Sequence, residues 1–556
     1  MAATQQPPAT AASAAVLTGI RAAGDRAILV ELSSLDAVLS LQSQLTAHPQ
    51  PGQVDVIAAA GTILVTADSP HALQDLAAHV RSLDLEAPAE TESTLVTIEA
   101  VYDGDDLDEA AALTGLGREG VVAAHTGQLW TAAFAGFAPG FAYLTGENST
   151  LDVPRRRSPR TAVPAGAVAL GGPYSAIYPR QSPGGWQLIG RTEAALWDLG
   201  RESPALIRPG DTVRFAAVRA QATVTRLQEA SGTTAGQAPV EEHAAAGLAV
   251  RKPGLQATIQ DLGRPGYASL GVSSSGAMDR GALRRANRLV GNPEGDAGIE
   301  ILFGGLELEA LTDQVVALTG ARVPLEVTPS EDTKQRTTAV RRPVCDAPFA
   351  LLAGERLTVG TPTAGLRAYL GVRGGIAGPA ALGSRSTDTM SGLGPEPLQA
   401  GTILSVGTPN AGSVVGNPEI SPLPDKNQAT ELRVVPGPRQ DWFNGETLHN
   451  FLSQEWTVSP KSNRIGLRLD GQALSRGREG ELASEGTVRG AVQVPPEGKP
   501  VLFLSDHPVT GGYPVIAVVV HADLDKAAQL PPGASVRFTA ASPAEQPETP
   551  KETFHA

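Results

Sequence analysis

Residues 209–215 read Pro-Gly-Asp-Thr-Val-Arg-Phe, and residues 532–538 read Pro-Gly-Ala-Ser-Val-Arg-Phe. Pro, Gly, Val, Arg and Phe stay in register, so in both places a turn glycine feeds an alternating strand. Related pieces precede each copy in the same order. PAGAVAL (164–170) and SPGGW (182–186) come before the first copy, and VRGAVQV (488–494) and VTGGY (509–513) before the second. Two readings explain the repeat: a duplicated β domain, or the turn chemistry shared by β-barrels wherever they close. Either way the two halves of the chain are architecturally related.

Outward from these strands, residues 91–217 consist of short apolar runs broken by Gly and Pro every few positions, the punctuation of an all-β barrel or sandwich. Ahead of them, AILVEL, VDVIA and TILVTA read as strands, while residues from about 34 to 47 and HALQDLAAHVRSL (71–83) read as helices, giving a small α+β unit. EASGTTAGQAPVEEHAAAG (229–247) and residues 408–430 have the small, polar composition of linkers. The expected layout is a loose tail (1–16), the α+β unit (17–90), a β domain (91–228), a linker (229–247), a β domain (248–407), a linker (408–430), a β domain (431–541) and a second tail (542–556).

The 556 residues exceed what one core usually organises, and 41% hydrophobic with 18% charged residues suits a globular chain. A net charge of −14 argues against a broad phosphate-binding surface, so no nucleic-acid partner is expected. Cys345, the sole cysteine, rules out an intrachain disulfide and a cysteine-ligated zinc or iron–sulfur centre. It reads as a small buried hydrophobe. No stretch reaches the roughly 18 apolar residues of a membrane helix, and no secretion signal is evident, so a cytoplasmic protein without a membrane partner is expected.

The densest motif of the first half runs from Phe134 through FAGFAPGFAYL to Leu144, followed by PRRRSPRTAVPAG and IYPRQSPGGWQLIGRT. Gly136, Gly140, Gly184 and Gly185 permit close backbone approach, and Arg155, Arg156, Arg157 and Arg160 concentrate positive charge suited to carboxylate or phosphate. A solvated basic loop is the plain alternative. The second half supplies Asp261, Arg264, Ser275, Asp279, Glu300, Asn463, Arg464, Arg468, Glu485, Gln493, Asp506, His507 and Thr510-Gly511-Gly512-Tyr513, polar groups bracketed by Gly and Pro as at a barrel mouth. Asp279 also stands where it would cap a helix running to about Val290. Phosphate-loop, nucleophile-elbow and HExxH signatures are absent from the sequence. His125 and His507 are possible acid–base groups, with a structural role favoured for each.

GFAPGFAYLTG, PRR, VPAG, IYP, SPGGWQLIGRT and PGDTVRF together resemble the B subunit of 5-oxoprolinase, of the kinase A inhibitor-like and allophanate hydrolase subunit 1 group. QDLGRPGY, SSSGAMDR, GNPEGDAGIEI, GSRSTDT, SNRIGLRL, SEGTVRGAVQVP and TGGYPVIAVV resemble the C subunit of the same enzyme, the allophanate hydrolase subunit 2-like partner. Both halves are similar to the non-biotin carboxyltransferase part of urea carboxylase in urea amidolyases. The resemblance implies a mainly β protein with α+β, having a cyclophilin-like β-barrel in each half and the small α+β unit in front. It implies ATP-dependent opening of 5-oxo-L-proline to L-glutamate, with magnesium accompanying ATP and a separate A subunit as partner; a homo-oligomer is also open. The sequence departs from the family at Pro173-Tyr174-Ser175-Ala176, where Gln-Thr-Gly is usual before IYP, and at Ala142, where Pro is usual.

For that reaction the expected substrate-binding residues are Tyr143, Arg155, Arg160, Gly184, Gly185, Trp186 and Arg191 in the first half. In the second they are Arg264, Asp279, Glu300, Arg468, Glu485, Gln493, Thr510, Gly511, Gly512 and Tyr513. Asn463, Arg464 and Asp506 are the expected catalytic residues: Asn463 as oxyanion donor, Arg464 as a phosphate or carboxylate anchor, Asp506 as proton acceptor or magnesium ligand. Two alternatives are a carboxyltransferase component acting on urea or a related amide and a non-enzymatic regulator binding a histidine kinase. The sequence holds no Met-Lys-Met biotin attachment site and no biotin-carrier region for the first of these.

Overall fold

Trp130 and Trp456 explain why the barrels form where they do. Each is buried at the start of a barrel strand, and each indole N–H donates to a carbonyl five residues upstream, His125 O at 2.9 Å and Phe451 O at 3.1 Å. Each packs beside the buried Phe of the heptapeptide repeat: Trp130 lies edge-on to Phe215, while Phe451 bridges Trp456 to Phe538. A computed structural model describes residues 16–85, 93–156, 158–219, 245–329, 339–478, 480 and 482–542. Arg157, the two tails but for Val16 and Ser542, and the first linker up to residue 244 lie outside the described residues.

The α+β unit is a four-stranded antiparallel sheet, Leu17–Ala22, Ala27–Leu32, Thr62–Ala67 and Gln53–Ala58 in spatial order. Helices Leu35–Ala47 and Pro70–Ser82 cover one face, their first turns capped by Ser34 and Ser69. The first barrel comprises Leu95–Ala100, Trp130–Ala135, Ala142–Thr145, Ala167–Gly171, Tyr174–Ile177, Gln187–Arg191 and Thr212–Ala217. Counting these in chain order, the sheet runs first, seventh, second, third, fifth, fourth, sixth. Its two edges meet where Val101 and Arg191 exchange backbone hydrogen bonds of 2.8 Å, which closes the cylinder.

The last unit is a closed barrel of Thr430–Pro436, Trp456–Val458, Gly466–Asp470, Ala491–Gln493, Val501–Phe503, Val515–Val519 and Ser535–Ala540. Its strand order is the same: first, seventh, second, third, fifth, fourth, sixth, with first and seventh parallel in both barrels. Each barrel also carries a two-stranded ribbon at the same two insertion points, Arg160–Val163 with Ser182–Gly184, and Glu485–Gly486 with Thr510–Gly511. The sequence repeats fall on matching elements of this common plan. Turn chemistry alone gives no reason for seven strands and a ribbon to coincide, so the topology favours duplication.

Between the barrels in sequence lies a β sandwich, a six-stranded and a five-stranded sheet sharing a core that includes Leu248, Ile259, Leu308, Leu318, Leu357 and Leu370. Cys345 packs against that core, its thiol held above the usual range by burial. Helix Arg280–Val290 lies on the five-stranded sheet, capped by Asp279 and ended by the left-handed Gly291. Residues 408–429 have no regular secondary structure but are tied down: Glu419 pairs with Arg288, and Ser421 donates to Asp346. Residues 245–247, expected to end the first linker, begin the sandwich strand Ala245–Pro253.

His125 occupies the position in the first barrel that Phe451 fills in the last, five residues before the tryptophan. It is fully buried, with its ring nitrogens bonded to Tyr102 Oη at 2.7 Å and Ser175 Oγ at 2.8 Å, and burial lowers its pKa to about 3. A neutral core imidazole in that place is a packing residue, not an acid–base group. Phe215→Ala and Phe538→Ala each remove a ring from equivalent core sites, and each is expected to cost about 3–5 kcal/mol in denaturant unfolding.

Candidate functional site

The glycine-rich segment after Ala135 turns back on itself, with Gly136 N–H donating to Phe141 O at 2.7 Å. A side chain at Gly136 would collide with the Phe141 ring, so glycine is required for the turn to close over that aromatic. The turn seats Phe141 and Tyr143 in a cluster with Phe134, Tyr174 and Trp186. Phe134 stacks on Tyr143 at 4.4 Å between centroids, and Tyr143 meets Tyr174 at 5.3 Å and Trp186 at 5.4 Å. The guanidinium of Arg155 sits 5.9 Å from the Trp186 ring, within cation–π range. Gly171 lies under the same indole, where a Cβ would come within 2.6 Å of the ring.

Phe134, Tyr143, Tyr174 and Arg155 open onto a cavity of about 650 Å³, with Phe141 and Trp186 packed behind them. Its walls are Phe134, Tyr143, Tyr174, Arg155 and the Gly171–Gly172 backbone from the first barrel, Ala60 from the α+β unit, and Leu482, Ala483 and Ser484 from the last barrel. Residues 154–156 precede the first ribbon strand of one barrel, and residues 482–484 precede the matching strand of the other. Topologically equivalent loops therefore face each other across one space. Ala60 N–H reaches Ser484 O at 3.4 Å, linking the α+β unit to that loop.

Several expected residues support this cavity from behind. Glu485 and Gly511 pair in the ribbon, Gly486 pairs with Thr510, and Gln493 Nε2 donates to Tyr513 O at 3.3 Å. Gly512 passes beside the Leu482 carbonyl, and Tyr513 lies under Arg476. Glu485 is itself held by Arg439, which also reaches Glu31 of the α+β unit. In the first barrel Gly184 fits against the Tyr178 hydroxyl, and Gly185 O accepts from Arg156 N–H at 2.7 Å.

Arg160 is committed elsewhere: its two terminal nitrogens grip Asp106 at 2.8 and 2.7 Å, and Arg156 joins the same carboxylate. Burial works against ionisation of Asp106, yet the Arg160 fork, the Leu188 N–H and Arg156 hold its pKa below the usual range. Arg191 pairs with Asp103 in solvent, and Arg468 is exposed on its strand. None of the three lines the cavity.

The second-half residues Arg464, Asp506 and Glu300 come together, but as a buried joint. Arg464 binds Asp506 through Nε and Nη2 at 2.9 Å each, Glu300 through Nη1 at 2.6 Å and the Gly276 carbonyl at 2.8 Å. Asp506 also accepts from Ser275 Oγ at 2.7 Å and from Thr389 N–H and Oγ1 at 3.0 and 2.8 Å. With both oxygens so engaged, Asp506 has no vacant lone pair for a proton or magnesium ion, which replaces its expected acid–base role with a structural one. Burial alone would raise its pKa, and Arg464 and Ser275 bring it below the ordinary carboxylate value. Asn463 is exposed and spends its side-chain oxygen on the N–H groups of Ile465 and Gly466, a turn rather than an oxyanion hole. Asp279 caps its helix through Ala282 N–H at 2.7 Å. Arg264 is buried against the Ser386 carbonyl.

Sequence reasoning finds Tyr143, Arg155 and Trp186 together with the residues backing the opposite loop. It misses Ala60 and Leu482–Ala483–Ser484, which carry no charge or aromatic ring to mark them, and it gives Phe134 and Tyr174 no role.

Residues 18–207 match the family of the carboxyltransferase domain, subdomains C and D, and residues 270–540 match carboxyltransferase subdomains A and B. The chain is 37% identical over 298 residues to the 5-oxoprolinase C subunit of Escherichia coli K12, covering 53% of this chain and 91% of that protein. It is 39% identical over 202 residues to the 5-oxoprolinase B subunit of Escherichia coli O157:H7, covering 34% of this chain and 92% of that protein. Among solved structures, TTHA0988 superposes with a TM-score of 0.79 at 32% identity, over 92% of this chain and 99% of that one.

Removing one partner of the buried joint, as in Asp506→Ala, is expected to cost about 3–5 kcal/mol by leaving Arg464 undercompensated. The sign with pH follows from the lowered pKa. The contribution of Asp506 is complete above its unfolded pKa of about 3.9 and is lost as pH falls through the folded value, so D506A should lose stability less steeply in acid than the parent when followed by urea titration.

Proposed function

This chain belongs to the carboxyltransferase-domain family that includes the B and C subunits of 5-oxoprolinase, and from that premise we propose that it is a B/C unit of an ATP-dependent 5-oxoprolinase. It opens 5-oxo-L-proline to L-glutamate in the cytoplasm, in complex with a separate A subunit. The observation that carries this reading is the cavity whose walls come from both barrels, since it gives two subunit-like halves a common site.

An amide carbonyl is a poor electrophile, so phosphoryl transfer from ATP to the lactam oxygen converts that oxygen into a leaving group. Water then adds to the activated carbon, the ring nitrogen leaves as the amine and takes up a proton released by that water, and a second water hydrolyses the resulting acyl phosphate to glutamate and inorganic phosphate. ATP enters as a substrate. Among the described residues no three His, Cys, Asp or Glu side chains converge as a metal site. Magnesium would therefore travel on the nucleotide phosphates with few protein ligands, as it commonly does.

Within the cavity, Arg155 is the anchor for the substrate carboxylate, because a guanidinium fork suits a planar anion. Phe134, Tyr143 and Tyr174 present apolar ring faces to the lactam methylenes and keep water away from them. Ala483 and Ser484 close the space from the last barrel. Tyr174, whose phenol burial keeps protonated, stands where the family usually has Gln-Thr-Gly, so the lactam-facing wall here is more aromatic.

Mixing the purified chain with its A subunit, ATP and 5-oxo-L-proline should give equal glutamate and phosphate, each requiring both proteins. Arg155→Ala should lower kcat/KM about ten- to a hundredfold, the worth of one charge-assisted contact. Ala483→Trp, which fills the cavity from the other barrel, should abolish turnover. No glutamate and no 5-oxoproline-dependent phosphate would contradict the reading. Carboxylation dependent on a biotin carrier would instead favour the carboxyltransferase alternative, and kinase inhibition without turnover the regulator.

A further inference from the structure

A second cavity, of about 170 Å³, lies where the α+β unit, the sandwich and the last barrel meet. Asp55 contributes from the first of these, Arg280 from the second, and Thr487, Arg489 and His507 from the third. It shares no lining residue with the larger cavity.

Its two arginines are incompletely satisfied. Arg280 Nη2 reaches the Ser275 carbonyl at 3.4 Å and Arg489 Nη2 the Met278 carbonyl at 2.5 Å, while the Nε of each is buried without a hydrogen-bond partner. Buried donors of a charged group are costly to leave unmade. The nearby acids do not supply acceptors. Asp55 receives the Ala268 N–H at 3.0 Å, and Asp525 receives the N–H groups of Arg280 and Gly281 at 3.0 Å each. The two guanidinium groups also repel each other: burial first and Arg489 second bring the pKa of Arg280 down to about 9. Arg284 and Arg26 add positive potential from outside the lining. His507 adds none near neutrality, because burial lowers its pKa to about 4.

We propose that this cavity binds one small oxyanion of the phosphate or carboxylate class between Arg280 and Arg489, and that the bound anion fastens the three units together. The volume equals roughly five to six waters at their liquid share of about 30 Å³, enough for such an anion but not for a nucleotide. The anion offsets the repulsion between the two like charges and offers acceptors to the guanidinium N–H groups that face the cavity.

The test is thermal unfolding and calorimetric titration of the full chain with inorganic phosphate, ionic strength held constant with chloride. The expected result is a saturable rise in Tm with one site per chain. Arg489→Gln and Arg280→Gln should each weaken phosphate about tenfold or more. Ser274→Leu fills the cavity while keeping both arginines, so it tests the site if neither charge variant folds, and it too should lose the response. Arg155→Ala, in the other cavity, should keep it. Parallel titrations with bicarbonate and acetate distinguish a tetrahedral from a planar preference, either of which supports the site. A response to all three anions no greater than to chloride would overturn the proposal, as would equal phosphate binding by the parent and every cavity variant.

Discussion

Arg464 sets one guanidinium against Asp506 of its own barrel and Glu300 of the sandwich, in a place where water scarcely reaches. Because charges so buried are costly unless every lone pair and proton is met, the joint tolerates little displacement of one unit against the other. Ser275, Gly276 and Thr389 of the sandwich complete it, and Met278 N–H and the Tyr369 hydroxyl satisfy the second Glu300 oxygen. The barrel's ribbon and the loop at 482–484 are carried on this fixed base. Arg439, gripping Glu485 and Glu31, then ties that ribbon to the α+β unit. Ion pairs of low exposure thus fix the last barrel against the sandwich and against the α+β unit, and two of these three units carry walls of the large cavity.

The matching strand orders give the arrangement its logic. Two barrels of one plan present equivalent loops to a common space, much as two subunits related by symmetry would, but the loops have diverged. One side carries Arg155 and aromatic rings, the other Leu482, Ala483 and Ser484. An asymmetric substrate with a carboxylate at one end and a lactam at the other is suited to such a site.

Much of the fold was legible because it rests on local chemistry. Apolar alternation after a turn glycine marked the strands, and Ser34, Ser69 and Asp279 marked helix starts by the capping each performs. The repeat around Phe215 and Phe538 relates the two halves at the level of sequence alone. The site was less legible because proximity across the fold leaves no periodic trace. Arg155 and Arg160 look alike in sequence, yet one lines the cavity while the other is bound to Asp106, fifty-four positions away. Asp506 and Arg464 stand out in the sequence as polar groups among apolar strands. Their partners at 275, 300 and 389 show that the pattern signalled a buried joint rather than a reacting centre.

The central claim is that one cavity, walled by both barrels, holds the substrate. A crystal structure of the full chain soaked with 5-oxo-L-proline tests it most directly. Ligand density is expected between the aromatic cluster and Ala483, with its carboxylate toward Arg155. Density confined to the interior of either barrel, or against the Arg464–Asp506 joint, would contradict it.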